Sequence, residues 1–207
     1  MARMNNISKR LLIYISFIML VTGLIITSLP LIKDKALENV ISNKLQKNSN
    51  EITQKRPTYN FNEIKPITVK DIWNAASENL PIIGRLIIPS VHLELPIMEG
   101  VSNEALTVGA VTLKKNQEMG QGNYALAGHR MNNPDLLFSP LERIELGDYL
   151  YLSEKNKEYT YRIMEKNVIE SSHVEVIEDI AGETIVTLIT CHANGTKRLL
   201  VKGVLIK

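Results

Sequence analysis

The chain begins with an apolar segment long enough to cross a membrane. From residue 11 to residue 32 no side chain is charged at neutral pH. As an α-helix, about 22 residues would reach roughly 33 Å, which exceeds the thickness of a bilayer core. The sequence therefore predicts one transmembrane helix over residues 11–32.

Charges flank this segment unevenly. Arg3, Lys9 and Arg10 precede it, whereas acidic residues offset the lysines that follow it. The positive-inside tendency then predicts a cytoplasmic N-terminus over residues 1–10 and an extracytoplasmic remainder. A cleaved signal peptide is the alternative, but its apolar region is about 7–15 residues long and ends in a small-x-small site. The longer run favours an uncleaved anchor.

A linker is predicted between the anchor and the rest of the chain. About 175 residues follow the anchor, which suits one domain preceded by a stalk. Residues 33–60 are rich in Lys, Asn, Gln and Glu, as is typical of a flexible extracytoplasmic spacer. The first half of this segment could instead form a short amphipathic helix, because four apolar residues recur there at helical spacing. These are Leu37, Val40, Ile41 and Leu45.

The positive charge of the chain lies beside the predicted anchor. Of 24 basic and 22 acidic residues, residues 61–207 hold 15 and 19. A domain with a small acidic excess gives no electrostatic reason to bind nucleic acid. With 44% hydrophobic and 22% charged residues, the composition also excludes disorder of the whole chain.

A short helical segment is predicted over residues 61–80. Thr68 and Asp71 have the spacing of a capping box, and apolar residues follow on one helical face. Pro81 ends this helix. The predicted strand-rich domain, residues 81–207, begins there.

The remainder of the chain is mostly β in pattern. Seven short runs are rich in β-formers and separated by turn residues. They are Gly84–Pro89, Leu93–Met98, Asn123–Ala127, Tyr149–Ser153, Glu158–Glu165, Thr184–Thr190 and Leu199–Ile206. Many short strands with few helices predict a sandwich or a closed barrel. Short helices or turns are predicted over residues 103–115 and 134–142.

Cys191 is the only cysteine in the chain. A single thiol on an exported chain has no disulfide partner, so reactivity explains it better than a structural cross-link. It also ends an apolar strand, Thr187-Leu188-Ile189-Thr190. We therefore predict a cysteine nucleophile.

Four histidines could act as a base for this thiol, and His129 is the best placed. It ends an apolar strand that opens into a loop, where a rigid scaffold presents catalytic side chains. His192 is adjacent to Cys191 and would point to the opposite face of the strand. His92 and His173 lie in turn and loop sequences, where a solvent-exposed side chain is the default.

Arg198 begins the next apolar strand after Cys191. The six-residue connection, with Asn194-Gly195 near its middle, is short enough for a hairpin. A hairpin would place thiol and guanidinium on neighbouring strands, where a fixed cation could stabilise an oxyanion or orient a carbonyl. An ordinary surface arginine is the alternative.

Together these motifs resemble those of the sortases, the membrane-anchored cysteine transpeptidases of Gram-positive bacteria. Residues 187–191 are similar to the TLxTC motif, residues 127–129 to the catalytic-histidine segment, and Arg198 to the family's arginine. In order and spacing, the similarity covers about residues 61–207. The N-terminal anchor, with no second hydrophobic segment after the domain, resembles class A, particularly streptococcal-type sortase A.

The resemblance implies an eight-stranded closed β-barrel with short helices and a two-step acyl transfer. Cys191 would attack the Thr–Gly carbonyl of an LPxTG-like sorting signal and form a thioester. His129 would protonate the leaving amine and later deprotonate the incoming one, while Arg198 would steady the oxyanion. The acceptor would be an amino group of a cell-wall precursor such as lipid II. An LPxTG-bearing surface protein would thereby be joined to peptidoglycan.

The same resemblance implies a substrate groove. Thr190 would support the oxyanion or the substrate, with an ordinary strand threonine as the alternative. Four small or apolar residues would line the groove, although plain core packing would also explain each of them. These are Ala127, Ile189, Val174 and Ile177.

The sequence differs from the calcium-stimulated staphylococcal member of the family. That enzyme has a cluster of carboxylates before the histidine strand, and the matching stretch here is Lys114-Lys115-Asn116-Gln117. Calcium requires oxygen-rich ligation, which two lysines oppose. We expect no cofactor and activity that is independent of calcium.

Three other interpretations stay open. A cysteine peptidase would use the same thiol and imidazole but hydrolyse its substrate. A pilus-type, class C-like sortase would share the site. A non-catalytic wall-binding module would tolerate Cys191→Ala without loss of function.

Overall fold

The structure is a computed structural model of the chain, and it describes residues 6–46, 59, 66–192 and 195–207. It divides into two compact units, Met1–Ala36 and Leu37–Lys207. The first helix, α1, spans Asn6–Gln46 and so has residues in both units.

The first unit is the apolar part of α1. Its large hydrophobic side chains are exposed, and by length and composition the helix could cross a membrane. Its hydroxyl groups are paired within the helix: Thr22 Oγ1 donates to the Ile18 carbonyl at 2.9 Å, and Thr27 Oγ1 donates to Gly23 at 3.1 Å. This back-bonding satisfies the hydroxyl groups of an apolar helix within the helix itself.

The second unit begins within α1. Leu37 and Ile41 are buried in its hydrophobic core. The Lys44 ammonium donates to the Glu78 carbonyl at 2.5 Å, at the end of the second helix, where the helix dipole favours a cation. The structure thus places the first half of the segment predicted as a linker in a helix that packs on the domain, whereas residues 47–58 and 60 lie outside the described residues.

The second helix, α2, spans Val69–Ser77. The predicted capping box is confirmed: the Thr68 N–H donates to Asp71 Oδ2 at 2.7 Å, and the Asp71 N–H donates to Thr68 Oγ1 at 3.3 Å. Ile72 and Ala75 are its buried side chains.

A third helix and eight strands follow. They are β1 Ile82–Ile88, β2 Leu93–Met98, α3 Asn103–Val108, β3 Ala110–Thr112, β4 Asn123–Ala127, β5 Tyr149–Glu154, β6 Lys157–Glu170, β7 Ile185–His192 and β8 Lys197–Leu205. All seven predicted runs are strands. The eighth strand, β3, was not predicted, because it lies in a segment predicted as helix or turn. Its three residues are too few to show an alternating pattern. The predicted turn at residues 134–142 overlaps a 3₁₀ turn, Ser139–Arg143.

The strands form a closed barrel in the order β1-β2-β3-β4-β7-β8-β6-β5. The pairs β2–β3 and β4–β7 are parallel, and the other pairs are antiparallel. Closure through β1 and β5 leaves no open sheet edge. The fold is therefore the closed barrel rather than the sandwich.

Candidate active site

The predicted nucleophile and base lie at the ends of the parallel strands β4 and β7. Ala127 is the register partner of Ile189, and the Gly128 N–H donates to the Ile189 carbonyl at 3.3 Å. Continuing this register by two residues places His129 beside Cys191. The two residues are far apart in sequence, so only the barrel brings them together.

Strand β8 brings Arg198 to the same place. Cys191 and Arg198 are register partners in the β7–β8 hairpin, which confirms the predicted connection. In that connection Gly195 has a φ of 86°, and Asn194 lies outside the described residues. The Cys191 side chain is a free, exposed thiol.

The Arg198 side chain is held on the hairpin. Its Nη1 donates to the carbonyl oxygens of Gly195 at 2.9 Å and Lys197 at 3.0 Å. These bonds use one of the three guanidinium nitrogens and fix the group on the strand that neighbours Cys191.

A buried aromatic ring supports the backbone at His129. The Phe138 N–H donates to the His129 carbonyl at 2.9 Å, and Phe138 is fully buried. A Cβ at Gly128 would lie 2.6 Å from Phe138 Cγ. Glycine is needed at this position because the strand lies directly on the ring.

Thr190 connects β7 to the same backbone. Its hydroxyl is buried and donates to the Gly128 carbonyl at 2.7 Å. It therefore fixes the residue that precedes His129. The predicted role of Thr190 at the oxyanion stays a prediction.

Burial lowers the pKa of His129 below its ordinary value, and the Asp71 carboxylate partly opposes this shift. A histidine with a lowered pKa is neutral at neutral pH, and a neutral imidazole can accept a proton. The sequence indicated Asp71 only as a helix cap, because nothing in the pattern relates α2 to the end of β4.

Two of the four groove candidates, Ala127 and Ile189, lie on the sheet close to Cys191. Ala127 and Ile189 are paired and half-buried. Because strand side chains alternate, Ile189 and Cys191 share one face of β7. The other two candidates lie in the β6–β7 connection, in the 3₁₀ turn Val174–Ile177, where Val174 is 71% exposed.

Asn123 anchors this β6–β7 connection to the barrel. Its Nδ2 donates to the carbonyl oxygens of Val176 and Glu178, both at 3.0 Å. Its Oδ1 accepts a hydrogen bond from Thr187 Oγ1 at 2.7 Å. One buried amide thus holds the loop against β4 and β7.

An ion pair adds a second attachment. Asp179 Oδ1 accepts hydrogen bonds from Lys114 Nζ at 2.6 Å and from the Asn123 N–H at 2.7 Å. These bonds lower the pKa of the Asp179 carboxyl. In the part of the chain that the structure describes, no group of three or more His, Cys, Asp or Glu could hold a metal ion.

The other histidines lie elsewhere. His92 ends a 3₁₀ turn with a φ of 53°, and His173 is exposed, 3.9 Å from Glu175. His192 Nδ1 lies 2.9 Å from Glu142 Oε1, a contact that no pattern in the sequence indicates.

An exposed thiol, an imidazole with a lowered pKa and a guanidinium at the ends of three adjacent strands form a candidate cysteine acyl-transfer site. The imidazole can move a proton, and the cation can hold a developing negative charge. The fold and site thus indicate a thiol-dependent transferase or hydrolase.

Comparison with known proteins identifies the family. The Sortase domain matches residues 86–206. Sortase A of Streptococcus agalactiae is 39% identical over 207 residues, covering 91% of this chain and 84% of the relative. Sortase A of Listeria monocytogenes is 32% identical over 206 residues, covering 93% and 90%. The chain belongs to the sortase family, whose sortase A members are cysteine transpeptidases.

A solved structure supports the same assignment. The structure of Listeria monocytogenes sortase A aligns with a TM-score of 0.59 at 36% identity, covering 61% of this chain and 88% of that one. The chain is therefore a sortase transpeptidase of the sortase A type with a mostly-β, closed eight-stranded barrel.

Proposed function

We propose that this enzyme cleaves an LPxTG-like sorting signal between Thr and Gly and transfers the surface protein to an amino group of a cell-wall precursor such as lipid II. The observation that supports this most is the placement of Cys191, His129 and Arg198 at the ends of adjacent strands β7, β4 and β8.

The reaction proceeds in two acyl transfers. The Cys191 sulfur attacks the Thr carbonyl as its proton passes to His129, and the tetrahedral oxyanion forms within reach of the Arg198 guanidinium. The carbon–nitrogen bond breaks, His129 returns the proton to the leaving amine, and a thioester remains. The acceptor amine then attacks the thioester carbonyl and His129 takes its proton. The carbon–sulfur bond breaks, and His129 returns the proton to the Cys191 sulfur.

The groove that receives the sorting signal is formed by the half-buried pair Ala127 and Ile189 on the sheet, with Val174 and Ile177 contributed by the β6–β7 connection. Support comes from the shared face of Ile189 and Cys191 and from the hydrogen bonds that fix the loop at Asn123. Apolar side chains at such a site suit the Leu and Pro positions of the signal.

The enzyme acts without calcium. The support is the ion pair between Lys114 and Asp179, in which a lysine ammonium joins the segment before β4 to the β6–β7 connection. A fixed positive charge at this point opposes the binding of a divalent cation.

The experiment is mass spectrometry of the full chain in detergent with an LPxTG peptide and an oligoglycine or alanine amine, beside Cys191→Ala. We expect a Thr–amine ligation product that disappears in the variant and persists in excess chelator. Loss of ligation in chelator would contradict calcium independence alone. Cleavage without amine transfer would indicate a peptidase. The absence of both thioester and product would contradict the proposed substrate.

A further inference from the structure

One carboxylate contacts the residues that follow both members of the catalytic pair. Glu142 Oε1 lies 2.9 Å from Nδ1 of His192, the residue after Cys191. The same oxygen lies 3.3 Å from Nε of Arg130, the residue after His129. Because a carboxylate only accepts hydrogen bonds, the Nδ1 atom of His192 carries the proton in this contact.

The contact of Glu142 with Arg130 and His192 lies just beyond the end of the β4–β7 pairing. β4 ends at Ala127, and the last backbone bond towards β7 is the one from Gly128 to Ile189. Beyond it, the parallel register would pair Arg130 with His192. The Glu142 carboxylate therefore links the two chain segments where the sheet no longer does.

The backbone of Glu142 is held in place by Lys166 of β6. It lies in the 3₁₀ turn Ser139–Arg143. The Lys166 ammonium donates to the carbonyl oxygens of Glu142 at 2.8 Å and Ile144 at 3.0 Å. The side chains of Glu142 and His192 are 32% and 29% exposed. Partial shielding and a charged acceptor make this contact stronger than an open surface pair.

We propose that Glu142 is a positioning residue that sets the spacing between the Cys191 thiol and the His129 imidazole. This inference rests on the proposed function of that pair. Side chains alternate along β7, so His192 lies on the opposite face from Cys191. Glu142 thus restrains the backbone next to Cys191 from the face of β7 opposite the thiol, and it does not contact the substrate.

The test compares Glu142→Ala and Glu142→Gln with Glu145→Ala, an exposed glutamate of the same region, in the full chain in detergent. We expect Glu142→Ala to lower kcat about tenfold, because small displacements of reacting groups are costly, while KM for the sorting peptide changes less than about twofold. Glutamine keeps an acceptor oxygen for both partners, so its kcat should stay within about threefold of wild type. Glu145→Ala should match wild type.

A kcat for Glu142→Ala within about twofold of wild type would overturn the proposal. It would also be overturned if the effect fell on KM alone, or if Glu142→Gln were as impaired as Glu142→Ala. If Glu142→Ala does not fold, the kcat values of His192→Ala and His192→Asn are compared instead. The asparagine amide can still donate to Glu142, so only the alanine variant should lose kcat.

The rate of Cys191 alkylation by iodoacetamide separates this inference from the proposed function, because it needs no sorting signal. Glu142→Ala should be alkylated more slowly than wild type, and Glu142→Gln should not. Wild-type protein that is alkylated but ligates no LPxTG peptide would contradict the substrate assignment alone. Equal alkylation rates in all variants would contradict the positioning role.

Discussion

His129 is sheltered by the barrel, and this burial affects the whole fold as well as the site. Its lowered pKa means that the folded protein resists protonation at a position where the unfolded chain accepts a proton. Wherever the unfolded state binds more protons than the folded state, stability rises with pH. The imidazole that serves the chemistry therefore makes the protein less stable in mild acid.

We predict that the free energy of unfolding falls as pH drops below the ordinary histidine value of 6.5 towards the lowered value in the fold. Above that window the histidine is neutral in both states and contributes no pH dependence. The measurement is chemical denaturation of the full chain at about pH 7.5 and about pH 5.5, beside His129→Gln. The variant should lose less stability on acidification, and an equal loss in both proteins would contradict the prediction.

The candidate reactive groups can be picked out in the sequence, but the residues that support them cannot. Cys191 stood out because it is the only thiol, and His129 because it ends an apolar strand. Glu142 and His192 are 50 residues apart and touch only because a 3₁₀ turn folds back over the strand ends. No spacing rule relates such residues, so a carboxylate of this kind looks like any surface glutamate in the sequence.

The β6–β7 connection is attached to the barrel by the Asn123 side chain and by the Lys114–Asp179 ion pair. Asn123 satisfies two loop carbonyl groups and one strand hydroxyl from a buried position. Truncating it would leave the buried Thr187 hydroxyl without this acceptor, and an unsatisfied buried polar group costs about 1–3 kcal/mol. The loop would then depend on the hydrogen bonds of Asp179 to Lys114 and to the backbone N–H of residue 123.

We predict that Asn123→Ala raises KM for the sorting peptide about fivefold or more while kcat changes less, because the loop belongs to the proposed binding groove, whereas Cys191 and His129 lie at the opposite ends of β7 and β4 from Asn123. The matched control is Asn167→Ala, an exposed asparagine on β6. Steady-state kinetics with an LPxTG peptide provide the measurement. A fall in kcat at constant KM would show that Asn123 acts on the catalytic pair instead.

The strands were more predictable than the short elements between them. Seven strands carry enough β-formers and turn residues to be recognised individually. Strand β3 is defined by its neighbours, since Val111 pairs with Met98 on one side and Ala127 on the other. The helical first half of the segment 33–60 was one of two alternatives that the sequence left open. Burial of Leu37 and Ile41 in the domain core decides between them, and a polar composition does not reveal such a partner.

The single cysteine of the chain allows a direct test of its orientation in the membrane. The long apolar helix supports a membrane anchor, and the basic residues before it support a cytoplasmic N-terminus and an external catalytic domain. Because Cys191 is exposed and is the only thiol, it can be labelled without further engineering.

We predict that a membrane-impermeant maleimide labels the protein in intact cells at Cys191. The control places the only thiol at the other end, combining Cys191→Ala with Asn5→Cys, and should be labelled only after the membrane is permeabilised. Labelling of the control but not of the wild type in intact cells would show the opposite orientation.

The parallel pairing of β4 with β7 has a consequence for how the folding chain acquires activity. The hairpin of β7 and β8 needs only local contacts, whereas the contact between Thr190 and Gly128 joins residues 62 positions apart. Local contacts form early in folding and long-range pairings late. We therefore expect a partly folded chain to hold the thiol beside Arg198 before His129 reaches it. Because the proposed base joins the thiol only through this long-range pairing, we expect immature molecules to be unable to attack the proteins around them.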